Sequence, residues 1–139
     1  DYKVVYGLPD EVWNEKWVKV LLIGEKEELD AAEKDFKENY DKGNNSFRSG
    51  TNYLDIVANG ISKGRSLEEL VNALKFNPEK VLAVGDNMND VEMIEYANYG
   101  FCVENGLSIV KEKADFIAPS NDEDAIAYII KWLEKKIKE

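Results

Sequence analysis

Histidine is missing from this chain altogether, and cysteine occurs once, at Cys102. The first absence removes serine–histidine triads, cysteine–histidine dyads and histidine-bound zinc. The second removes any internal disulfide, and a reducing cytoplasm is the expected compartment. The lone thiol lies in Gly100-Phe101-Cys102-Val103, a run that reads as a buried strand, so a structural role is expected over a reactive one. No apolar run approaches the ~20 residues needed to cross a bilayer, and the first residues lack a signal-peptide pattern. A soluble protein is expected. Basic residues are also scarce: 18 Lys and Arg face 28 Asp and Glu, a formal net charge of −10 in 139 residues. That field repels nucleic acid and anionic membrane, so neither is expected as a partner. It repels a phosphorylated substrate too, so any phosphate site must bring its own local positive charge.

What is present is apolar material, 44% of the residues, enough for the core of one ordinary domain. Asp1 to Glu15 contains Gly7-Leu8-Pro9-Asp10 and reads as a turn into a short polar helix. Trp17 to Ile23 is a dense, partly β-branched run stopped by Gly24, which predicts a strand. Leu29, Ala32, Phe36 and Tyr40 recur at helical spacing, and the cluster Asp41-Lys42-Gly43-Asn44-Asn45 ends that helix. Ser46 to Ser49 and Tyr53 to Ala58 read as a hairpin around Gly50-Thr51-Asn52. Ser62 is placed to cap a helix with Leu67, Leu70, Val71 and Leu74 on one face, broken at Asn77-Pro78.

From there strands and helices alternate. Strands are predicted at Val81–Val84, Gly100–Val103 and Asp115–Ala118, and helices at Asp90–Ala97, Leu107–Lys113 and Asp122–Lys136. The last of these has Ile126, Ile129, Ile130 and Leu133 inward. Such alternation argues for an α/β fold with a parallel sheet covered by helices. Composition divides near Gly60, with a small α+β unit before it (1–59) and a parallel α/β unit after it (60–139).

Two motifs carry chemistry. Val84-Gly85-Asp86-Asn87-Met88-Asn89-Asp90 follows an apolar strand and opens a helix, and ligands of parallel sheets bind beyond the carboxyl ends of strands. Asp86 and Asp90 are four apart and can share one side of the first turn. Paired carboxylates without histidine or thiol suit a hard ion, Mg²⁺ above zinc or copper. Alternatively, Asp86 or Asn87 is simply an N-cap and Asp90 compensates the helix dipole. The second motif, Ile61-Ser62-Lys63-Gly64, puts a lysine at the positive end of a helix, where an anion such as phosphate would justify it; the other reading is a solvated surface lysine. Arg48, Ser49 and Asn52 are further candidates to approach a substrate, against an ordinary surface role for Arg48.

Taken together, Ser62-Lys63-Gly64 and then Gly85-Asp86-Asn87-Met88-Asn89-Asp90 closely resemble motifs III and IV of the haloacid dehalogenase superfamily. Tyr53-Leu54-Asp55-Ile56, Gly100 to Asn105, Lys111 to Asp115 and Ser120 to Asp124 follow in the order of its Cof-type (subfamily IIB) phosphatases. The resemblance implies a Rossmann-like parallel sheet with helices on both faces, here an incomplete core, plus the C-terminal part of an α+β cap. It also implies a Mg²⁺-dependent phosphatase that hydrolyses small phosphate monoesters, sugar phosphates or similar, through an aspartyl-phosphate. Carried over by residue, Lys63 neutralises the nucleophile and phosphoryl oxygens, Asp86 binds Mg²⁺, and Asp90 orients that shell or joins it through water. Asn89 holds a phosphoryl oxygen, and Arg48 approaches the substrate from the cap.

The family's first motif, Asp-x-Asp-Gly-Thr, does not occur in these residues, and its second cannot be placed. The chain is therefore expected to begin inside the cap, as a fragment, a split-gene product completed by an N-terminal half, or a degenerate remnant. Alone it is expected to be inactive. The competing reading is a noncatalytic module that self-associates through an exposed sheet edge. A receiver domain also uses carboxylates and a lysine around Mg²⁺, but its lysine follows its acidic pair, whereas Lys63 precedes Asp86.

Overall fold

The structure, a computed structural model, describes residues 17–40 and 42–138. The expected turn and short helix over Asp1–Glu15 lie outside the described residues. The first unit is an antiparallel sheet with one helix. Strand β1 (Lys19–Ile23) leads into helix α1 (Lys26–Asn39), and β2 (Asn44–Gly50) and β3 (Tyr53–Ala58) form the hairpin, in the order β1-β3-β2. α1 begins in a capping box in which Glu25 and Glu28 exchange side-chain and backbone bonds.

Strand alternation gives this sheet two unlike faces. Arg48 and Leu54 are paired across the hairpin, and Arg48 reaches Asp30 of α1 at 3.6 Å. That face therefore lies under the helix, and Leu54 there is fully buried. The opposite face carries Lys19, Leu21, Asn45, Phe47, Asp55 and Val57, as the registers Lys19–Val57, Leu21–Asp55, Asn45–Val57 and Phe47–Asp55 require.

The second unit runs α2 (Lys63–Leu74), β4 (Leu82–Gly85), α3 (Val91–Tyr96), β5 (Tyr99–Val103), α4 (Ser108–Lys111), β6 (Phe116–Ala118) and α5 (Ala125–Lys136). Its strands are parallel in the order β4-β5-β6. Both faces of this sheet are covered, as the α/β reading expected. On one, Phe101, Val103 and Ala118 pack under Ala125 and Ile129 of α5, with Trp132 closing the cluster. Phe101 stacks on Phe116 with centroids 5.0 Å apart, and Trp132 meets Phe101 edge-on at 5.1 Å. On the other face, Ile94, Cys102 and Val110 form a second buried cluster.

The inward assignment on the terminal helix needs correction, and the apolar faces of two other helices are only partly buried. On α5 the buried stripe is Ala125 and Ile129, with Trp132 packed beside them, while Ile126 and Ile130 are more than half exposed. On α2 only Val71 of the four apolar residues is buried, and Leu70 and Leu74 are exposed. On α1 Leu29 is buried but Tyr40, at the C-cap, is exposed. In each case a helix meets only one sheet or one helix here, so the buried stripe is narrower than the apolar periodicity. The hairpin turn is also shorter than expected, since Gly50 belongs to β2 and only Thr51 and Asn52 turn.

Candidate active site

The Asp86–Asp90 loop leaves the carboxyl end of β4 and enters α3 through a single 3₁₀ turn, Met88–Asp90. Asp90 is 3% exposed and its two oxygens are divided. Oδ2 accepts from the backbone N–H of Asp86 at 2.9 Å and of Asn87 at 3.1 Å, folding the loop over itself. Oδ1 takes the Lys63 ammonium at 2.5 Å. This tight fold requires Gly85, because an added Cβ would come within 2.3 Å of the Asp90 Cβ.

Lys63 is brought there by the start of α2. The Ser62 hydroxyl caps the helix by accepting from Arg65 N–H at 3.1 Å, and it donates to the Glu92 carboxylate of α3. Gly64 lets the two helices approach, since a Cβ there would lie 2.4 Å from the Glu92 Cβ. Lys63 sits in the first turn, the unfavourable end of the dipole, and the buried Asp90 carboxylate compensates it. The residue is thus neither a free surface lysine nor an isolated anion trap.

The electrostatics are uneven. Burial would raise the Asp90 carboxyl, but the Lys63 bond and the two backbone N–H groups outweigh it and hold the group below the usual carboxylate range. Asp86 goes the other way. Partial desolvation, then the bond and negative charge of Asp90, push its carboxyl up, and Lys63 only partly offsets them. Two carboxylates therefore share one ammonium, and Asp86, exposed at the rim, is under-neutralised. A hard divalent cation fits that donor set and would relieve that repulsion. Among the described residues, no three His, Cys, Asp or Glu side chains converge as an ion-holding group.

Beside Lys63 a cavity of about 100 Å³ is lined by Asn45, Phe47, Ser62, Met88, Asn89 and Glu92. Asn89 thus stands with Lys63. The structure does not bring Arg48 there. Strand alternation turns it to the helix-covered face, where it donates to Thr51 O at 2.5 Å and pairs with Asp30. Asn52 donates to Gly24 O at 2.9 Å and braces the sheet, and Ser49 bonds the Asp55 carboxylate. Asn45 and Phe47 are the residues that sequence reasoning missed. Their signal was parity: they alternate with Arg48 and so belong to the other face.

Asp55, beside Phe47, is also buried. Burial would raise its carboxyl, but Lys19 at 2.5 Å, Ser49 and the charge of Lys63 keep it below the ordinary range. An Asp-x-Asp spacing does occur at Asp122-Glu123-Asp124. It opens α5 from a 3₁₀ turn instead of ending a strand, so it is no substitute for the missing motif. A larger groove of about 640 Å³, lined by Leu82, Tyr99, Leu133 and Ile137 among others, lies at the N-terminal ends of β4 and β5, remote from this chemistry.

The haloacid dehalogenase-like hydrolase family matches residues 2–130. A provisionally named phosphatase of Streptococcus pyogenes serotype M6 is 30% identical over 131 residues, 94% of this chain and 49% of its own length. The Bacillus subtilis 5-amino-6-(5-phospho-D-ribitylamino)uracil phosphatase YcsE is 40% identical over 81 residues, 58% of this chain and 32% of that one. A solved haloacid dehalogenase-like hydrolase from Bacteroides thetaiotaomicron superposes with a TM-score of 0.72 at 34% identity, covering 84% of this chain and 44% of the other. The chain thus spans half or less of the length of these relatives. With the lysine of α2 joined to the carboxylates beyond β4 on a parallel sheet of this form, the chain belongs to the haloacid dehalogenase-like hydrolases, a family that includes phosphatases.

Proposed function

We propose that this chain supplies the charge-neutralising half of a Mg²⁺-dependent phosphatase acting on small phosphate monoesters, sugar phosphates or similar. The observation that carries the reading is the 2.5 Å contact between the Lys63 ammonium and the buried Asp90 carboxylate, which fixes a cation at the rim of a parallel sheet. Asp86 would hold Mg²⁺ directly, with Asp90 behind it, since both Asp90 oxygens already bind the protein. When bound, the ion supplies positive charge to phosphoryl oxygens. Lys63 contributes a second positive charge facing the phosphoryl group and the attacking carboxylate, and Asn89 donates its amide to a phosphoryl oxygen. The half-exposed Lys63 side chain can reach a substrate without abandoning Asp90.

Residues 1–59, which include the antiparallel sheet, would be part of a cap over a core at 60–139, with Asn45 and Phe47 facing the organic portion of the ester. The nucleophilic and acid–base aspartates would come from an N-terminal half, so this chain alone would not turn over. A cytoplasmic enzyme suits its single thiol. YcsE is named for a phosphorylated ribityl compound, which is consistent with a sugar-phosphate class.

The test has two arms. Mn²⁺ added to the isotope-labelled chain should broaden the amides of residues 86–90, and Asp86→Ala should abolish this; no broadening would sink the metal role. With p-nitrophenyl phosphate and Mg²⁺ no turnover is expected, and activity lost in Asp86→Ala would show that the nucleophile is here after all. The apolar groove at Leu82, Tyr99, Leu133 and Ile137 favours one alternative, a noncatalytic module that self-associates. A concentration-dependent dimer without metal binding would support it.

A further inference from the structure

We infer that the Asn105–Gly106–Leu107 segment, seated on the Cys102 thiol, is the device that positions Asp86. Asp86 lies at the exposed rim, where its carboxyl bonds Asp90, and the direction in which it leaves the loop is set by its backbone. That backbone is clamped on both sides. Its N–H donates to Asp90 Oδ2 at 2.9 Å, and its C=O accepts from Leu107 N–H at 2.9 Å. The first bond belongs to the motif itself; the second comes from a loop that the sequence motifs left without a role.

The loop is in turn held from three directions. Lys111 donates to Glu104 O and pairs with its carboxylate at 3.3 Å. Asn105 and Asn121 bind reciprocally: Asn105 Nδ2 donates to Asn121 Oδ1 at 2.6 Å, and Asn121 N–H donates to Asn105 Oδ1 at 3.1 Å. Asn121 opens the turn into α5, which is anchored by buried Ala125 and Ile129. Beneath the loop, Gly106 lies close to both Asp86 and Cys102. An added Cβ would stand 2.6 Å from Cys102 Sγ, 3.0 Å from Val103 O and 3.2 Å from Asp86 Cα. The thiol occupies the space that a larger residue 106 would need, so the pair is a fitted seat, and rigid contacts run from the α5 core to the Asp86 peptide.

Partners that orient a ligand without touching the bound ion are worth about tenfold or more in metal affinity. The metal part of this inference rests on the proposed phosphatase reading; the positioning part does not. Labelled full-length chain is compared with Gly106→Ala, Gly106→Ala/Cys102→Ala, Asn105→Ala and Asn121→Ala by amide spectra and Mn²⁺ titration. Gly106→Ala should displace the Asp86, Asn87 and Leu107 amides and weaken Mn²⁺ binding about tenfold, and adding Cys102→Ala should restore part of both, since Val103 O and Asp86 Cα still crowd the new methyl group. Asn105→Ala and Asn121→Ala should displace the same amides less, and they decide the matter if Gly106→Ala does not fold. Unmoved Asp86 and Asn87 amides in the folded variants, or a double variant no better than the single one, would overturn the inference. If the unaltered chain binds no Mn²⁺ the phosphatase reading fails, while the amide shifts still decide the positioning.

Discussion

The two sheets of this molecule are held together by different means. The parallel sheet is closed on both faces by apolar clusters, with four aromatic rings meeting over one of them. The antiparallel sheet buries Leu29, Leu54 and Val57 and relies on ion pairs, Lys19 with Asp55 and Arg48 with Asp30. Its face away from the helix carries exposed Leu21, Ile23 and Tyr53 beside buried Asp55 and Val57. The comparison teaches where precision is kept. The carboxylates grow from the end of a strand in the dense unit, while the thinner unit brings side chains such as Phe47 to the rim. The more densely packed unit thus holds the charged groups, and the more thinly packed one supplies the side wall of the cavity beside them.

The largest effect that bears on this contrast is expected from the cores. Phe101→Ala should cost about 4 kcal/mol and unfold the parallel sheet, because Phe116 and Trp132 lose their common neighbour. Leu54→Ala should cost about 2–3 kcal/mol and loosen the antiparallel amides selectively. Hydrogen exchange resolved by residue separates the two. Equal loss of protection in both sheets after Leu54→Ala would show a single cooperative unit and erase the distinction.

Next comes Asp90→Ala, expected to cost about 3 kcal/mol by leaving the Asp86 and Asn87 N–H groups unpaired. The Lys63 pair adds less to this than a buried pair would, because half of that side chain is in water. Thermal melts measure the cost, and a loss below 1 kcal/mol, roughly a surface ion pair's worth, would mean that the carboxylate does not organise the loop. Asp86→Asn is the opposite case. Its carboxyl is raised, so the charged form costs stability at neutral pH. The metal-free variant should melt slightly higher than the parent at pH 7, and the difference should fade as acid neutralises the parent's carboxyl.

Acid should strike the two units together. Asp90 and Asp55 are both held below the ordinary carboxylate value of 3.8. Their contribution is fully present above that value and is lost as pH falls through their lower, folded-state values. Stability should therefore change little from neutrality to about pH 4 and fall steeply below it. Asp55→Asn should flatten that fall for the antiparallel amides and leave the parallel ones alone; an unchanged acid limb would remove Lys19–Asp55 as a support of the thin unit.

Much of this architecture was legible in the order of residues. The strand–helix alternation after Gly60 could be read because each strand is short, apolar and closed by a turn or cap that stands in the sequence. The Asp86–Asp90 motif could be read because it follows the carboxyl end of an apolar strand, and the Lys63 motif because a cation in the first turn of a helix needs an explanation. What could not be read was direction. Helical periodicity marks every apolar residue of α5, but only the stripe Ala125, Ile129 and Trp132 finds a sheet to meet, and nothing in the periodicity says how many partners a helix has. The role of Gly106 was invisible for a related reason, since it depends on a thiol four residues earlier lying beneath it in space.

Arg48 shows the same limit most plainly, and the smallest expected effect follows from it. A basic residue in a hairpin beside a phosphate motif invites a substrate role, yet a strand offers two faces and one residue decides which. Arg48 is paired with Leu54, and its guanidinium spans Thr51 O and Asp30 under α1, while Phe47, one position earlier, lines the cavity with Lys63 and Asn89. Arg48→Ala should therefore lower stability by about 0.5–1 kcal/mol and leave the Lys63 and Asn89 resonances in place. Phe47→Ala should shift those resonances at similar cost to the fold. Reversal of that pattern would mean that the hairpin is paired one residue out of register, because a single-residue slip exchanges every side chain between helix and site.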